Sequence, residues 1–271
     1  MDKAYCSEDG IIYTADVLSR LSPNELARKR QLLQCVECFV RAFFRHASFD
    51  GRVAHFGARP HAEGCSLAAQ DNEHLEDRDG EDVEALHIPN GNIIVDFSFG
   101  TPDQPDQVAG SGLVPTQDRT ARNFYRPDAH ASRRLSSLLR MLIGLPAFRD
   151  SRKLIEVYPF GVIAARDFFV PLNAVTSQYY GQFRGFWGLI TDAQFTDDGS
   201  LWLNSGGRGS VSFCIDYKFV DLMFKRYRIK NLEDFAGANI LAFGNLQVSA
   251  NGKLHVIIQE PEYITLRLLK A

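Results

Sequence analysis

From residue 183 onward, apolar and polar residues alternate over short runs separated by turn signals, which predicts a series of strands. "RGFWGLITDAQF" is followed by the turn "TDDG", then "SLWLN", then "SGGRG", then "SVSFCID". A helical stretch, "YKFVDLMFKRY", comes next. After it stand "GANILAFGNLQVSA", the turn "NG", "KLHVIIQE" and "YITLRLL", with Asn251-Gly252 a strong hairpin signal. In "SVSFCID" Val211, Phe213 and Ile215 share one side of the strand, as do Leu254, Val256 and Ile258 in "KLHVIIQE"; these six are expected to fill an interior. Trp187, in an apolar strand, is expected in the core, whereas Trp202, Lys253 and His255 fall on the opposite faces.

Upstream the pattern is mixed. In "SPNELARKRQLLQ" Ser22 serves as N-cap, Pro23 stands in the first turn and Glu25 completes a capping box, so a helix is expected to lead the chain to Cys35. "NGNIIVDFSFG" (90–100) is a turn followed by a β-rich apolar run, a predicted strand. "TPDQPDQVAGSGLVPTQD" has the Pro, Gly, Asp and Gln content of an exposed loop or linker. Asp128 can cap a helix running to about Ile143, with Leu135, Leu138, Leu139 and Leu142 along one stripe and Gly144 and Pro146 ending it. Arg133, Ser137 and Arg140 fall opposite the leucines. The fold class expected is α+β, in four parts: an N-terminal metal-binding module (1–70), an acidic stretch with a strand and linker (71–118), a basic helical connecting region (119–180) and a β-rich C-terminal domain (181–271).

Composition narrows the function. With 45% hydrophobic and 23% charged residues in 271, the chain can bury sizeable cores. No apolar run is long enough to span a bilayer and the N-terminus lacks a signal peptide's basic head and apolar core, so a cytoplasmic address is expected. The net charge of −3 hides a segregation: residues 69–85 carry a net −7, leaving +4 elsewhere, and residues 119–153 carry +7. A basic segment suits a phosphate-bearing partner; intramolecular pairing with the acidic stretch explains it equally well.

The chain from Cys35 to Cys65 holds three of the five cysteines and three of the seven histidines. In a reducing compartment such clustering favours metal over disulfides. Cys35-x2-Cys38 can place both sulfurs on one ion, and His61-x3-Cys65 has the spacing of a second pair, giving a closed tetrahedral set of the kind zinc prefers. With no open position such an ion is a fold staple and not a water activator. His55 is the alternative to His61, or a packing group beside the site; His46 is expected at the surface.

Two resemblances follow. "AYCSEDGIIYTADVL", "CVEC", "RVAHF" and "HAEGC" together resemble the N-terminal zinc-finger module of competence protein CoiA-like families, over roughly the first quarter of the chain. The histidines are spread further apart than that family's close pair. The resemblance implies a DNA-associated setting in bacteria or their mobile elements. Over roughly the last ninety residues, the order three strands, helix, hairpin is similar to a five-stranded OB-fold β-barrel, which implies nucleic-acid binding.

Within that block Trp202 can stack a base while Arg208, Lys218, Lys253 and His255 meet phosphates, with Arg119, Arg122, Arg126, Arg133 and Arg140 of the basic region as further contacts. Trp202 packing against the preceding domain is the plainer explanation of the same residue. A trace of nuclease chemistry also stands in the chain: Asp198, then Asp216 and Lys218 in "DYK", an acid-then-Asp-x-Lys order that can hold Mg²⁺. Asp198 lies in a turn that favours Asp in any case. The expected function is therefore a zinc-containing, non-enzymatic protein binding single-stranded DNA, with a Mg²⁺-dependent nuclease and a protein-docking subunit of a bacterial DNA-processing or defence assembly as alternatives.

Overall fold

The computed structural model describes residues 1–47, 53–58, 61–62, 64–70, 92–97 and 131–269. The acidic run, the Pro- and Gly-rich linker, Asp128, Arg119, Arg122 and Arg126 lie outside the described residues. The chain is a mixed α+β protein with a Cys/His cluster near its N-terminus and a large C-terminal sheet.

The first unit builds a three-stranded antiparallel sheet from β1 (Lys3–Cys6), β2 (Ile12–Thr14) and β3 (Leu33–Gln34), with β1 in the middle. Between β2 and β3 lie α1 (Ala15–Ser19) and α2 (Pro23–Lys29). Ser22 and Glu25 form the expected capping box of α2. A 3₁₀ turn, Arg30–Leu32, hands the chain to β3, and the hairpin β4 (Ala42–Arg45) and β5 (His55–Ala58) completes the unit. Its core is small: among the described residues Leu18, Leu33, Phe44 and Phe56 are its large fully enclosed side chains, and Phe43 of β4, equally buried, packs outside that core near Gly237.

The middle region is not the helical connector its basic composition suggested. It is a four-stranded sheet in the order β7-β6-β8-β9, from β6 (Ile93–Asp96), β7 (Ala131–Arg134), β8 (Leu154–Val157) and β9 (Gly161–Ala164). Helix α3 (Leu135–Gly144) starts six residues later than Asp128 would have it, because Ala131–Arg134 is drawn into a parallel ladder with β6. The leucine stripe is buried as the spacing requires and the helix stops at Gly144. Ser137, expected on the solvent side, is buried. The short helices α4 (Pro146–Arg149) and α5 (Ala165–Phe168) close this unit.

The C-terminal sheet has eight strands, not five. Its path is β10-β11-β15-β16-β14-β13-β12, with β17 pairing off β15. The strands are β10 (Phe169–Pro171), β11 (Phe183–Leu189), β12 (Asp192–Phe195), β13 (Leu201–Asn204), β14 (Ser212–Ile215), β15 (Asn239–Val248), β16 (Leu254–Ile258) and β17 (Ile264–Arg267). No ladder joins the two ends of the path, β10 and β12. The added strands arise because β11 and β15 are covered on both faces. Phe186, Ile240 and Ala242 enter the C-terminal core, while Trp187, Leu241 and Phe243 enter the core under the middle sheet. That is why both read as near-continuous apolar runs. Helix α6 (Tyr217–Tyr227) follows β14, as its period indicated, and all six alternating residues Val211, Phe213, Ile215, Leu254, Val256 and Ile258 are buried in one core.

Candidate functional site

Chemistry-bearing side chains converge in two places. The first is the end of β3. Cys35 enters it fully buried, the chain turns through Val36 and Glu37, and Cys38 returns half-buried beside it. The turn is fixed by backbone hydrogen bonds, Phe39 N–H to Cys35 C=O at 3.1 Å and Cys35 N–H to Val40 C=O at 2.8 Å. Phe39 takes a left-handed φ of 54°, where glycine is the easier residue, and its ring meets Tyr5 edge-on at 5.8 Å.

Opposite this turn stand His61 and Cys65. The ligand atoms of Cys35, Cys38, His61 and Cys65 all lie within 4.8 Å of one another. His61 Nδ1 is 3.4 Å from Cys38 Sγ and 3.3 Å from Cys65 Sγ, and the sulfurs of Cys35 and Cys65 are 3.9 Å apart. A sulfur–sulfur bond needs about 2.0 Å, so this pair is not a disulfide. An ion about 2.3 Å from sulfur and about 2.0 Å from nitrogen, with tetrahedral angles, spaces its ligands by roughly 3.5–3.8 Å, and the observed separations fall close to that. Three sulfurs and one imidazole nitrogen therefore form a group that can hold a metal ion. His55 is not part of it: its Nδ1 lies 3.1 Å from the Val53 carbonyl, on β5.

Burial pushes the Cys38 thiol up, but the backbone N–H groups of Ala62 and Val40, with His61, outweigh it and hold the group at about 6. Burial raises Cys65 to about 11. Glu37, inside the C-x2-C turn, is tied to Ser66, its carboxylate accepting the Ser66 backbone N–H at 2.8 Å and hydroxyl at 2.5 Å. That contact joins the two ligand pairs from outside the cluster.

The second convergence is on the outer face of the C-terminal sheet. Trp202 on β13 is half-buried, its ring 5.8 Å from that of His255 on β16. Lys253 Nζ sits over the indole at 5.8 Å. Trp202, Lys253 and His255, separated by about fifty residues in the chain, thus share one patch. Lys253 is held there by a buried polar network: its Nζ donates to Asn204 Oδ1 at 3.2 Å, the Ser212 hydroxyl donates to the same oxygen at 2.7 Å, and Asn204 Nδ2 donates to Asp192 Oδ2 at 2.9 Å. Burial pulls the Lys253 ammonium down, and the Asp192 carboxylate pushes it partly back. Cys214 pairs in register with Trp202, and burial, then the Asp198 and Asp216 carboxylates, push its thiol up.

Other expected residues lie elsewhere. Arg208 is exposed in the loop 205–211. Asp198 accepts from the Thr196 hydroxyl and from Ser200 N–H and hydroxyl, which lower its carboxyl, so it holds its turn together. Asp216 caps α6, accepting the Lys218 backbone N–H at 3.0 Å, and the Lys218 ammonium pairs with it at 3.6 Å. Arg133 belongs to β7, and Arg140 on α3 donates to the Ser137 hydroxyl at 3.2 Å.

Sequence reasoning missed the seam between the Cys/His cluster and the sheet. Arg30 makes a two-pronged pair with Glu233, at 2.8 and 3.0 Å, and donates to Phe44 C=O. Arg41, three residues beyond Cys38, donates to Ser205 C=O and to the Ser210 hydroxyl, and burial pulls its guanidinium down. Arg45 reaches the carbonyls of Ala236 and Asp234. Gln31 Nε2 donates to Asp192 Oδ2 at 3.3 Å, which links the seam to the network under Lys253. The glycines of "SGGRG" are what permits this approach: a Cβ on Gly206 would collide with the Arg41 guanidinium, and one on Gly207 would lie 2.5 Å from a Leu32 methyl. The run of glycines was the available signal, and it looked like an ordinary turn.

No protein-family model matches the chain, and no curated protein matches it. Among solved structures, the Stn1-ten1 complex of S. pombe is similar over 33% of this chain, at 15% identity and a TM-score of 0.24. A Leishmania major protein bearing the name of an aspartyl-tRNA synthetase is similar over 38%, at 7% identity and a TM-score of 0.27. The chain spans 59% and 21% of those two chains. No described helix is long and apolar enough to cross a membrane.

Proposed function

We propose that the protein binds single-stranded DNA without cleaving it, using the outer face of the C-terminal sheet, and that zinc occupies the Cys/His cluster as a structural ion. The observation that carries this reading is the convergence of Trp202, Lys253 and His255 on one face. An indole with an ammonium over it and an imidazole beside it suits a single strand, since each base offers a π-face and each phosphate a charge; such stacking contributes about 1–3 kcal/mol per base.

The strand order supports an OB-like platform. The ladders run β12-β13-β14-β16-β15-β11, with β14 parallel to β16 and the others antiparallel, and α6 lies between β14 and β15. β11 and β12 are separated in the chain only by Ile190 and Thr191. A single curved first strand, split at those residues, gives the partly open Greek-key arrangement of that fold. For the cluster, a closed set of sulfur and imidazole ligands favours zinc over metals that take oxygen. Engagement of Asp198 and Asp216 in turn and cap supports binding over cleavage.

The test is fluorescence anisotropy of a labelled single-stranded oligonucleotide over a salt series. Binding is expected to weaken as salt rises, and Trp202→Ala, with circular dichroism unchanged, should weaken it by about tenfold, as one lost stacked base requires. Absence of binding at low salt, or indifference to Trp202→Ala, defeats the reading.

A further inference from the structure

The patch around Trp202 is the open part of a face that is closed one row away. Register puts Asp192, Asn204 and Ser212 in one row across β12, β13 and β14, and Gln194, Trp202 and Cys214 in the next. Two residues separate the rows on every strand, so both point to the same side of the sheet, while Ala193, Leu203 and Phe213 between them point to the C-terminal core. Gln194 is exposed and Trp202 and Cys214 are half-buried, yet Asp192, Asn204 and Ser212 are only 4%, 0% and 1% exposed. The N-terminal unit closes that row. Gln31 Nε2 reaches Asp192, and Arg41 binds Ser205 and Ser210 in the loop that follows Asn204.

Buried polar side chains cost stability unless each finds a partner, and leucine or valine would cover the same surface without that requirement. The partners found here fix the direction of the Asn204 carboxamide. A carboxylate only accepts, so Asp192 Oδ2 takes Asn204 Nδ2 at 2.9 Å and turns Oδ1 the other way. That oxygen accepts from the Ser212 hydroxyl at 2.7 Å and from Lys253 Nζ at 3.2 Å. Asp192 is itself held from two further sides, by the Thr191 hydroxyl at 3.0 Å and by Gln31 at 3.3 Å.

The Lys253 backbone is fixed across its hairpin, its N–H donating to the Ser249 hydroxyl at 3.1 Å and its carbonyl accepting the Ser249 N–H at 2.9 Å. Only the side chain remains to be placed. A lysine on an open surface loses much of its freedom when it meets a phosphate, and that loss weakens binding. Here protein groups alone hold the ammonium 5.8 Å from the indole centroid, so the ordering is done on folding and not on binding.

We propose that Asp192 and Asn204 are positioning residues for the strand, with Gln31 as the contribution of the N-terminal unit: together they hold the Lys253 ammonium beside Trp202, where the phosphate next to a stacked base meets it. This rests on the reading that the outer face binds single-stranded DNA. The full chain is titrated with a labelled oligothymidylate of about 20 nucleotides, longer than the roughly 4–16 nucleotide sites of OB folds. Lys253→Met should weaken binding about tenfold and make the slope of log K against log salt shallower by roughly 0.7, as one lost phosphate contact requires. Asn204→Ala and Asp192→Asn should each weaken it about fivefold, the effect of having to order one long side chain on binding. Gln31→Ala, which leaves Thr191 and Asn204 on Asp192, should weaken it about twofold. In the Lys253→Met background none of the three changes should weaken binding further, because each acts through that ammonium. Losses that multiply with that of Lys253→Met show that the buried row serves only the fold, and overturn the proposal. Unchanged binding in the three variants or in Lys253→Met, while Trp202→Ala still weakens it, also overturns the proposal and leaves the first reading standing. Should Asn204→Ala fail to fold, Asp192→Asn, which keeps the shape of the side chain, and Gln31→Ala carry the same comparison. Failure of the parent protein to bind overturns both readings.

Discussion

The Cys/His unit and the C-terminal sheet reach order by opposite means. The sheet encloses Phe186, Phe213, Phe235 and a dozen or more aliphatic side chains in one continuous core, and its strands would hold together on that burial alone. The N-terminal unit has strands of two to four residues, few large enclosed side chains, and a buried Lys29 paired with Asp9. What it has instead is the four-residue Cys/His group, which can hold a metal ion and so cross-link the unit. A region with little apolar surface to bury takes its rigidity from ligands, whereas one rich in alternation takes it from packing.

The sharpest way to break that comparison is to remove the ion proposed for this group. Cys35→Ser, or prolonged chelation, should abolish metal binding and unfold the N-terminal unit, since such an ion contributes on the order of 10 kcal/mol. Elemental analysis should fall from one metal per chain to none, and limited proteolysis should cut within residues 1–70 while sparing 131–269. Retention of the metal in Cys35→Ser, or protection of the N-terminal unit without it, removes the proposed division. The mirror experiment is Phe213→Ala. That ring is fully buried between β13 and β16, so its loss should cost about 3–5 kcal/mol, read by denaturant unfolding, with metal content unchanged.

These two regions also differ in how far they could be read in advance. Ligand spacing picked out Cys35, Cys38, His61 and Cys65, because a metal site is local chemistry written at short separations. Alternation placed Val211, Phe213, Ile215, Leu254, Val256 and Ile258 inside, because strand period is local too. What could not be read depends on distant partners. Arg30, Arg41 and Arg45 bond to groups more than 160 residues away, and they look like ordinary basic residues following a helix. Ala131–Arg134 has the composition of a helix start but pairs with β6, beyond any window of periodicity. The partial burial of Trp202 was open for the same reason: Lys253 and His255, which sit against it, come from another strand.

Whether the seam makes the two regions one unit is tested at Arg30 and Glu233. The pair is two-pronged and the Arg30 side chain is only 11% exposed. A double-mutant cycle with Arg30→Ala and Glu233→Ala should give a coupling of about 1–2 kcal/mol, above the roughly 0.2–1 kcal/mol of exposed pairs. Each single change should also make the N-terminal unit more protease-sensitive. A coupling near zero, with proteolysis unchanged, means that the regions fold independently despite their contact.

The smallest effect lies within the N-terminal unit and depends on pH. The Lys29 ammonium, bonded to Asp9, and the Tyr13 hydroxyl, at 2.7 Å, hold the Asp9 carboxyl well below the usual carboxylate range. The Asp9 carboxylate in turn raises Lys29 above its usual value. A depressed carboxyl contributes stability that is present above its unfolded value of about 3.9 and is lost as pH falls through the lower folded value. A raised ammonium contributes stability present below about 10.4 and lost as pH rises beyond it. The pair should therefore act as a plateau between those limits. Melting curves of the parent and Asp9→Asn should differ most near neutral pH and begin to converge below about pH 4, where the carboxyl of the unfolded parent takes up its proton while the folded one still holds its charge. A difference that persists undiminished in acid would show that Asp9 acts through its shape and hydrogen bonds and not through its charge, and would leave the Cys/His cluster as the chief candidate support of this small unit.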